Sequence, residues 1–323
     1  MSVEYWDGST GYFRHARHWS QAATPSAGDE LYAQSGNITL KGGTFGSADA
    51  RTTIGLIGDA MAGAPFLTLK NVTLTNVAIS EAPPFYNGPY KDAPPGYYSA
   101  KYGTLHIVGT VTNDGGSLEG GRNSLGPAAS LSIVMDTGAT LINNGALAAY
   151  PAGHLTIAGH GKVENNGTIN AAGGTVAIST HLTGTGDTYT SAAGGGGFSG
   201  NVELNAAVDA GQTFHISQGS LQIDRPHRFL GQIDLGPTQF GGTVRLEGLK
   251  AASWDATGNL VEFFNDAGKV VDTLRFTTPQ DSTTLAIYVT PDAAHGTRVN
   301  IVAAQPFGAP TGAAILPYDA HTA

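Results

Sequence analysis

The motif Asn-Asn-Gly occurs twice in one short stretch of the chain, and its spacing constrains the fold more than any other feature. The two copies are Asn143–Asn144–Gly145 and Asn165–Asn166–Gly167, which are 22 residues apart. Apolar runs that begin at Leu105, Leu131 and Leu155 follow one another after 26 and 24 residues. A unit of this size buries only one strand face and cannot form a core alone, whereas stacked units cover one another. The recurrence therefore predicts a solenoid.

The amino-acid types indicate that the repeated unit consists of strands. Gly accounts for 46 of the 323 residues, only 13% of the residues are charged, and strong helix formers are scarce. About twenty residues suffice for one turn of a parallel β-helix, whereas leucine-rich repeats need a regular Leu lattice that this chain lacks. We predict an all-β, right-handed parallel β-helix. The alternative is a sandwich in which the two Asn-Gly pairs form unrelated hairpin turns.

The doubled motif is predicted to mark one corner on two successive coils. A chain that turns between two sheets often needs a residue with positive φ, and Asn and Gly adopt this conformation at the lowest cost. Asn side chains at equivalent corners can also stack and hydrogen-bond to one another along the solenoid axis. Both properties are expected of Asn143, Asn144, Asn165 and Asn166.

Changes in composition and in the pattern of strands and turns divide the chain into four parts. We predict an N-terminal cap over residues 1–30, a β-helix over 31–245, a β-hairpin cap over 246–303 and an extended tail over 304–323. The hairpin cap is predicted because two segments there have the pattern of strand, turn and strand. These segments are residues 259–276 and 283–302.

Three large aromatic residues, Trp6, Phe13 and Trp19, are concentrated near the N-terminus. The first coil of a solenoid exposes an apolar layer and unpaired strand edges, which need a cover against uncontrolled stacking. The three side chains are predicted to form this cap. The alternative is that the two Trp side chains bind carbohydrate, since aromatic faces also stack on sugars.

A Pro- and Tyr-rich insertion interrupts the coils at residues 81–102. Pro lowers the entropy that a loop loses on docking, and Tyr supplies a large contact area with a polar tip. The insertion is therefore predicted to contact a glycan or a second copy of the chain. The alternative is that it folds back over its own solenoid. Its aromatic residues are Phe85, Tyr86, Tyr90, Tyr97, Tyr98 and Tyr102.

The N-terminal pattern W-x-G-…-F-x-x-A-x-x-W-S-…-P-x-x-G-D, the Gly/Asn-rich coils and the segment 229–249 together resemble secreted β-helical passengers and adhesin-like proteins of Gram-negative bacteria. The resemblance covers residues 1–300 and implies a fold and a setting more than an activity. It implies an extracellular or cell-surface location. No basic-then-apolar N-terminal signal peptide is evident, so export would use another route. A cytoplasmic location is the alternative, which the absence of Cys equally allows.

Charge and hydropathy exclude nucleic acid as a partner and a transmembrane segment. The net charge is −9 and no run of basic residues is available to neutralise a phosphate backbone, so no nucleic acid is expected as a partner. No window approaches eighteen consecutive apolar residues, so no transmembrane segment is predicted. The expected partners are further copies of the chain and a surface polysaccharide.

The coils contain one element that resembles pectin-degrading β-helix enzymes, Gly159–His160–Gly161, but not the Asp-Asp, Asn-x-Asp and Arg-x-Lys elements that accompany it in them. A glycosidase needs two carboxylates at a set separation, and residues 140–200 contain only Glu164 and Asp187. A lyase would need a base beside a charge-neutralising group, for which Lys162 and Glu164 flank His160. We expect His160 to be a turn residue and predict no catalytic residue.

No cofactor or metal is predicted either. His15 and His18 have a spacing that could hold a metal, but no third ligand is suitably close and Arg14 and Arg17 would repel a cation. We therefore predict a non-enzymatic extracellular or cell-surface structural protein. It is expected to self-associate head-to-tail or laterally into filaments or matrix and to mediate adhesion. The alternative is a β-helix that binds or degrades polysaccharide.

Overall fold

The structure is a computed structural model that describes residues 2–33, 35–56, 65–80, 102–121, 129–191, 199–234, 242–257, 259–277, 285–292, 296–303 and 314–315. Strands in two sheets dominate it, and short 3-10 helices occupy Ala16–His18 and Pro226–Arg228. The first sheet consists, in spatial order, of β1 (Val3–Tyr5), β3 (Glu30–Ala33), β6 (Thr52–Leu56), β8 (Val77–Ser80), β10 (Ser117–Gly120), β13 (Ala146–Ala149), β16 (Thr168–Ala172), β19 (Asp187–Ser191), β21 (Thr213–Ile216), β23 (Gln232–Asp234), β27 (Val270–Thr277), β26 (Leu260–Phe264) and β25 (Ser253–Thr257).

The second sheet winds around the other faces of the molecule. It consists, in chain order, of β2 (Gly11–Tyr12), β4 (Asn37–Lys41), β5 (Thr44–Gly46), β7 (Phe66–Thr75), β9 (Tyr102–Asp114), β11 (Ser130–Met135), β12 (Thr140–Asn143), β14 (His154–Gly159), β15 (Lys162–Asn165), β17 (Thr175–Ile178), β18 (His181–Thr183), β20 (Gly200–Leu204), β22 (Gly219–Ile223), β24 (Gly242–Glu247), β28 (Leu285–Asp292), β29 (Gly296–Ala303) and β30 (Ala314–Ile315).

Successive coils lie side by side in parallel register. After β13 in the first sheet, the chain forms β14 and β15 in the second sheet and returns to the first sheet as β16, which pairs in parallel with β13. β14 pairs in parallel with β11 of the preceding coil, and β15 pairs in parallel with β12. Such stacked parallel coils form a β-solenoid. The prediction of an all-β chain built from parallel coils is confirmed.

Alternate residues of each strand point into the solenoid. In the first sheet, Leu118 pairs with Leu147 and Leu147 pairs with Ile169, and all three side chains are fully buried. In the second sheet, Leu131 and Leu155 are paired and buried in the same way. Because side chains alternate between the two faces of a strand, an apolar residue at each inward position of every coil gives a continuous core.

One of the predicted coil spacings is wrong. Leu131 pairs with Leu155, which confirms the 24-residue spacing, but Leu105 lies opposite Ile133 and not opposite Leu131. The error has a simple physical cause. A shift of two residues keeps every apolar side chain on the inward face of a strand, so the apolar pattern alone does not distinguish the two registers.

Buried amides form a row through the stacked corners. Asn143 Nδ2 donates to Asn165 Oδ1 on the next coil, 22 residues later, and Asn113 Nδ2 donates to Asn143 Oδ1, both over 2.8 Å. Asn165 Nδ2 donates to Gln212 Oε1 over 3.0 Å. All four side chains are fully buried, and we call them the amide ladder. The predicted hydrogen bonding between asparagines of one corner along the axis is confirmed.

The predicted backbone conformation of the corner is wrong, because none of the four asparagines has a positive φ. Positive φ occurs instead at Asn71 (48°) and Asn76 (52°). The glycines of the motif have a steric role: a Cβ at Gly145 would clash with the carbonyl oxygen of Gly116, and a Cβ at Gly167 would clash with that of Gly145. Of the four asparagines, Asn143 and Asn165 belong to the amide ladder. The other two, Asn144 and Asn166, lie at the surface, where Asn166 Nδ2 is 3.4 Å from Asn144 Oδ1.

The three N-terminal aromatic side chains pack against one another at one end of the coil stack. Trp19 contacts Trp6 and Phe13 edge-on, with ring centroids 5.2 Å and 5.1 Å apart, and Phe13 contacts Phe45 of β5 at 4.9 Å. Trp6 and Trp19 are only 5% and 3% exposed. Neither ring therefore presents a face on which a sugar could stack, and the alternative of carbohydrate binding by these residues is wrong.

The two ends of the first sheet differ. The outer side of β1 is covered by the chain itself, because Trp6 bridges Trp19 in antiparallel fashion and the N–H of Ser20 donates to the carbonyl of Tyr5 over 2.9 Å. At the opposite end, β25 pairs with β26 on one side. Among the residues that the structure describes, no strand pairs with the other side of β25.

Both predicted C-terminal hairpins are present. β26 pairs antiparallel with β27, and Asn265 Oδ1 in the turn accepts the backbone N–H groups of Ala267 and Lys269. β28 pairs antiparallel with β29. β29 also pairs with β24, which continues past the boundary predicted at residue 245. In the predicted tail, the two residues of β30 pair with β28; the others lie outside the described residues.

Candidate functional site

Most of the aromatic insertion falls outside the described residues, so its predicted contact role stays a prediction. This applies to Phe85, Tyr86, Tyr90, Tyr97 and Tyr98. Tyr102 is different, because it is the first residue of β9 and pairs with Ser130 of β11. It therefore belongs to a coil and not to the insertion.

His160 lies in the turn between β14 and β15, as predicted. Its backbone N–H donates to the carbonyl of Met135 over 3.1 Å, and the residue is exposed. The two flanking residues, Lys162 and Glu164, lie on β15 with Lys162 Nζ 3.9 Å from Glu164 Oε2. An exposed ion pair beside a turn is an ordinary solvated surface.

His18 lies in a polar group that has the residue types of a hydrolase triad but not its geometry. Ser9 Oγ and Asp7 Oδ2 both approach His18 Nδ1, at 2.8 Å and 3.0 Å, and Arg17 Nε donates to His18 Nε2 over 3.1 Å. A triad needs Ser and Asp on opposite ring nitrogens. Hydrogen bonds from Ser9 and His18 lower the pKa of Asp7 to about 2. Because both nitrogens are engaged, this group fixes the N-terminal segment, and His15 adds only a stacked ring 6.2 Å away.

A second polar cluster lies on the outer face of the first sheet, where three coils bring one residue each to the same position. His215 of β21 is opposite Asp234 of β23 and Tyr189 of β19. Its Nδ1 lies 2.7 Å from Asp234 Oδ2, and its Nε2 lies 3.1 Å from Asp187 Oδ1. The Tyr189 ring stacks on the imidazole with centroids 4.5 Å apart, and Thr277 Oγ1 of β27 donates to Asp234 Oδ1 over 2.9 Å.

The electrostatics of this cluster favour a charged imidazole. Carboxylates only accept hydrogen bonds, so both ring nitrogens donate together only when His215 is protonated. The hydrogen bond to Asp234, followed by that to Asp187, raises the pKa of His215 against the opposing effect of burial. Burial and the charges of Asp187 and Asp234 raise the pKa of Tyr189. A protonated His215 is an ion-pair partner and not a general base.

A buried carboxylate lies on the same outer face at the middle of the sheet. Glu119 of β10 has a side chain only 3% exposed, and its Oε1 accepts the hydroxyl of Ser117 over 2.6 Å. Arg51 Nη2 lies 3.6 Å from the same oxygen. A buried charge is stable only when it is paired and hydrogen-bonded, as this one is.

These clusters have neither the ligand arrangement of a metal site nor the free pair of carboxylates of a glycosidase among the described residues. Within the described part of the chain, no group of three or more His, Asp and Glu residues has an arrangement that could hold a metal ion. The carboxylates Asp187 and Asp234 are bridged by one imidazole, which occupies the space between them. An inverting or retaining glycosidase needs that space for water or for the sugar.

The sequence pattern had not pointed to several of these residues. Asn113 precedes the Gly-Gly pair of an Asn-x-Gly-Gly segment and resembles the other corner asparagines, so it had a detectable signal. His215, Asp234 and Gln212 had none. Each of these residues is separated from its hydrogen-bond partner by between 19 and 47 residues of sequence, so only the register of the coils brings the partners together.

Comparison with known proteins finds no family model that matches the chain and no similar curated protein. In the described part of the chain, no helix has both the length and the apolar character needed to cross a membrane.

Proposed function

We propose that this chain is a non-enzymatic structural protein of an extracellular or cell-surface setting, which self-associates into filaments or matrix and mediates adhesion. The observation that carries the proposal is the unequal ending of the first sheet. Its N-terminal edge is covered by the segment around Trp19, whereas β25 has a strand partner on one side only among the described residues. An open strand edge offers unpaired N–H and C=O groups to another chain.

The residues of β25 suit pairing with a second copy. Ser253, Asp255 and Thr257 are exposed, and Trp254 packs against the core. Asp255 Oδ1 accepts the N–H of Ala256 and so blunts part of this edge. A contact between the β25 strands of two copies is two-fold symmetric and closes on itself, so a filament needs a second, unlike contact. We assign this second contact to the aromatic insertion at residues 81–102.

We extend the proposal to the handedness of the solenoid and to its two caps. We take the winding to be right-handed, residues 1–30 to be an aromatic cap around Trp6, Phe13 and Trp19, and residues 246–303 to be a hairpin cap. The buried aromatic cluster and the antiparallel strands that follow the parallel coils support this assignment. The resemblance to secreted passengers of Gram-negative bacteria supports export, and cell fractionation of the native host tests it.

Lysine substitutions on β25 are expected to weaken self-association. Ser253→Lys with Thr257→Lys places two cations on the exposed edge, and charged edge residues oppose pairing with another strand. The oligomeric fraction should fall in light scattering at micromolar concentration, and fibres should be lost in negative-stain microscopy. Replacement of Tyr90, Tyr97 and Tyr98 with Ser should weaken the second contact. Removal of residues 304–323 should also weaken self-association.

The matched control is Thr273→Lys, an equally exposed position on β27, which is an inner strand of the same sheet. It should leave the oligomeric fraction unchanged. A strictly monodisperse wild-type monomer at every salt concentration and pH would refute the self-association proposal. Loss of assembly in the control as well would refute the assignment to β25.

No turnover of polysaccharide is expected. His160 is an exposed turn residue beside an ion pair. The two carboxylates of the His215 cluster, Asp187 and Asp234, are both bound to the same imidazole. Incubation with acidic and neutral polysaccharides should yield neither new reducing ends nor unsaturated products. Turnover that His160→Ala abolishes would overturn the non-enzymatic assignment in favour of a lyase or hydrolase.

A further inference from the structure

The His215 cluster lies at a structural junction. In the part of the chain that the structure describes, β23 pairs in parallel with β27 through three residues, Gln232–Asp234 against Arg275–Thr277. Beyond β27, the sheet continues with the antiparallel strands β26 and β25. This short ladder is therefore the place where the C-terminal strands of the first sheet are attached to the parallel coils.

Side chains extend the attachment beyond the short backbone ladder. Asp187, His215, Asp234 and Thr277 follow one another on β19, β21, β23 and β27, joined by the three hydrogen bonds described above. The side chains of His215 and Asp234 are 25% and 26% exposed, so solvent screens them only in part. We propose that these four residues form a pH-sensitive clasp that fastens β27, and with it β26 and β25, to the coils.

Protonation determines whether the clasp is closed. The imidazolium donates to both carboxylates, whereas neutral His215 has one N–H and turns a lone pair toward the other carboxylate. One of the two bonds must then break, and Asp234 in either case loses its charged partner. Asp234 also accepts the hydroxyl of Thr277 with its other oxygen, so a carboxylate that is held less firmly by His215 holds Thr277 less firmly too. Loss of the proton therefore loosens β27.

The sign of the pH dependence follows from linkage. Because the pKa of His215 is raised in the folded state, its stabilisation is fully present below the ordinary pKa of histidine, about 6.5, and is lost as pH rises through the folded-state pKa. The clasp is thus closed in mildly acidic solution and opens as pH rises through the raised pKa of His215.

Few charged groups lie near His215 among the residues that the structure describes. β19 contributes Asp187 and Tyr189, β23 contributes Asp234, and β27 contributes Arg275, which is exposed and lies opposite Gln232 in the neighbouring row. The segments 192–198 and 235–241, which follow β19 and β23, contain no ionisable residue. Asp281 follows β27 and lies outside the described residues.

Hydrogen–deuterium exchange tests the clasp in the full chain. Protection of the peptide 270–277, corrected for intrinsic exchange rates, should fall about fivefold between pH 6 and pH 8.5, which is the size expected of a partly exposed charge-assisted hydrogen bond. Protection of the coil peptide 146–178 should stay constant. His215→Gln should remove the pH dependence and leave 270–277 weakly protected throughout.

The matched control is His181→Gln. Among the described residues, His181 is bonded to one carboxylate, with Nε2 2.8 Å from Asp209 Oδ1, and it lies on β18 of the second sheet. This variant should behave as the wild type. The clasp is refuted if protection of 270–277 does not change with pH in the wild type, or if His215→Gln keeps the wild-type pH dependence. An NMR titration in which the His215 ring loses its proton at or below the ordinary histidine value would refute it independently.

Discussion

Asn143→Asp is expected to destabilise the protein by about 4 kcal/mol at pH 7, the cost of ionising a carboxyl whose pKa complete burial raises by about three units. The substitution preserves the shape of the side chain but replaces the Nδ2 donor with an acceptor. Asn165 Oδ1 then faces a carboxylate oxygen in place of the N–H group that it now accepts over 2.8 Å. Urea denaturation measures the loss.

Stability of this variant should recover as the pH is lowered, because a neutral carboxyl can donate its O–H group to Asn165 Oδ1. The sign agrees with linkage: the folded state binds the proton more tightly than the unfolded state, so stability rises as pH falls through the raised pKa. Asn144→Asp makes the same chemical change at the exposed neighbour and should cost at most about 0.5 kcal/mol. Equal losses in the two variants, or a loss that does not depend on pH, would contradict the role assigned to the amide ladder.

Gly167→Ala is expected to cost about 3 kcal/mol or more, because the added Cβ would clash with the carbonyl oxygen of Gly145 and force two coils apart. Adjacent strands of one sheet have little freedom to separate without loss of their ladder hydrogen bonds. The midpoint of urea or thermal unfolding reports the effect.

Gly138→Ala separates this steric cause from a conformational one. Gly138 has a φ of 75° and open space where its Cβ would lie, so this variant should cost only about 1 kcal/mol of backbone strain. Gly167 does not have a positive φ. If Gly138→Ala were the more destabilising of the two, glycine would be required in these turns for its conformation and not for close approach of the coils.

The aromatic cluster and the C-terminal hairpins were predictable because their signals are local. Trp6, Phe13 and Trp19 are large apolar residues close together in the chain, and the Asn265 turn lies between two alternating strands. The equivalence of Asn143 and Asn165 was predictable because both coils carry the same Asn-Asn-Gly motif after a short strand. The equivalence of Leu105 was not, since registers two residues apart bury the same faces.

The sequence by itself determined that strands repeat along this chain, which residues point inward, and that the Asn-Asn-Gly corners recur. Each of these properties depends on alternation and composition over a few neighbouring residues. Only the tertiary structure decided that His215 lies between Asp187 and Asp234, and that Asn165 is bonded to Gln212, 47 residues away. Coils of unequal length place these residues opposite one another, and that register depends on the sum of contacts along the whole stack, which no local pattern encodes.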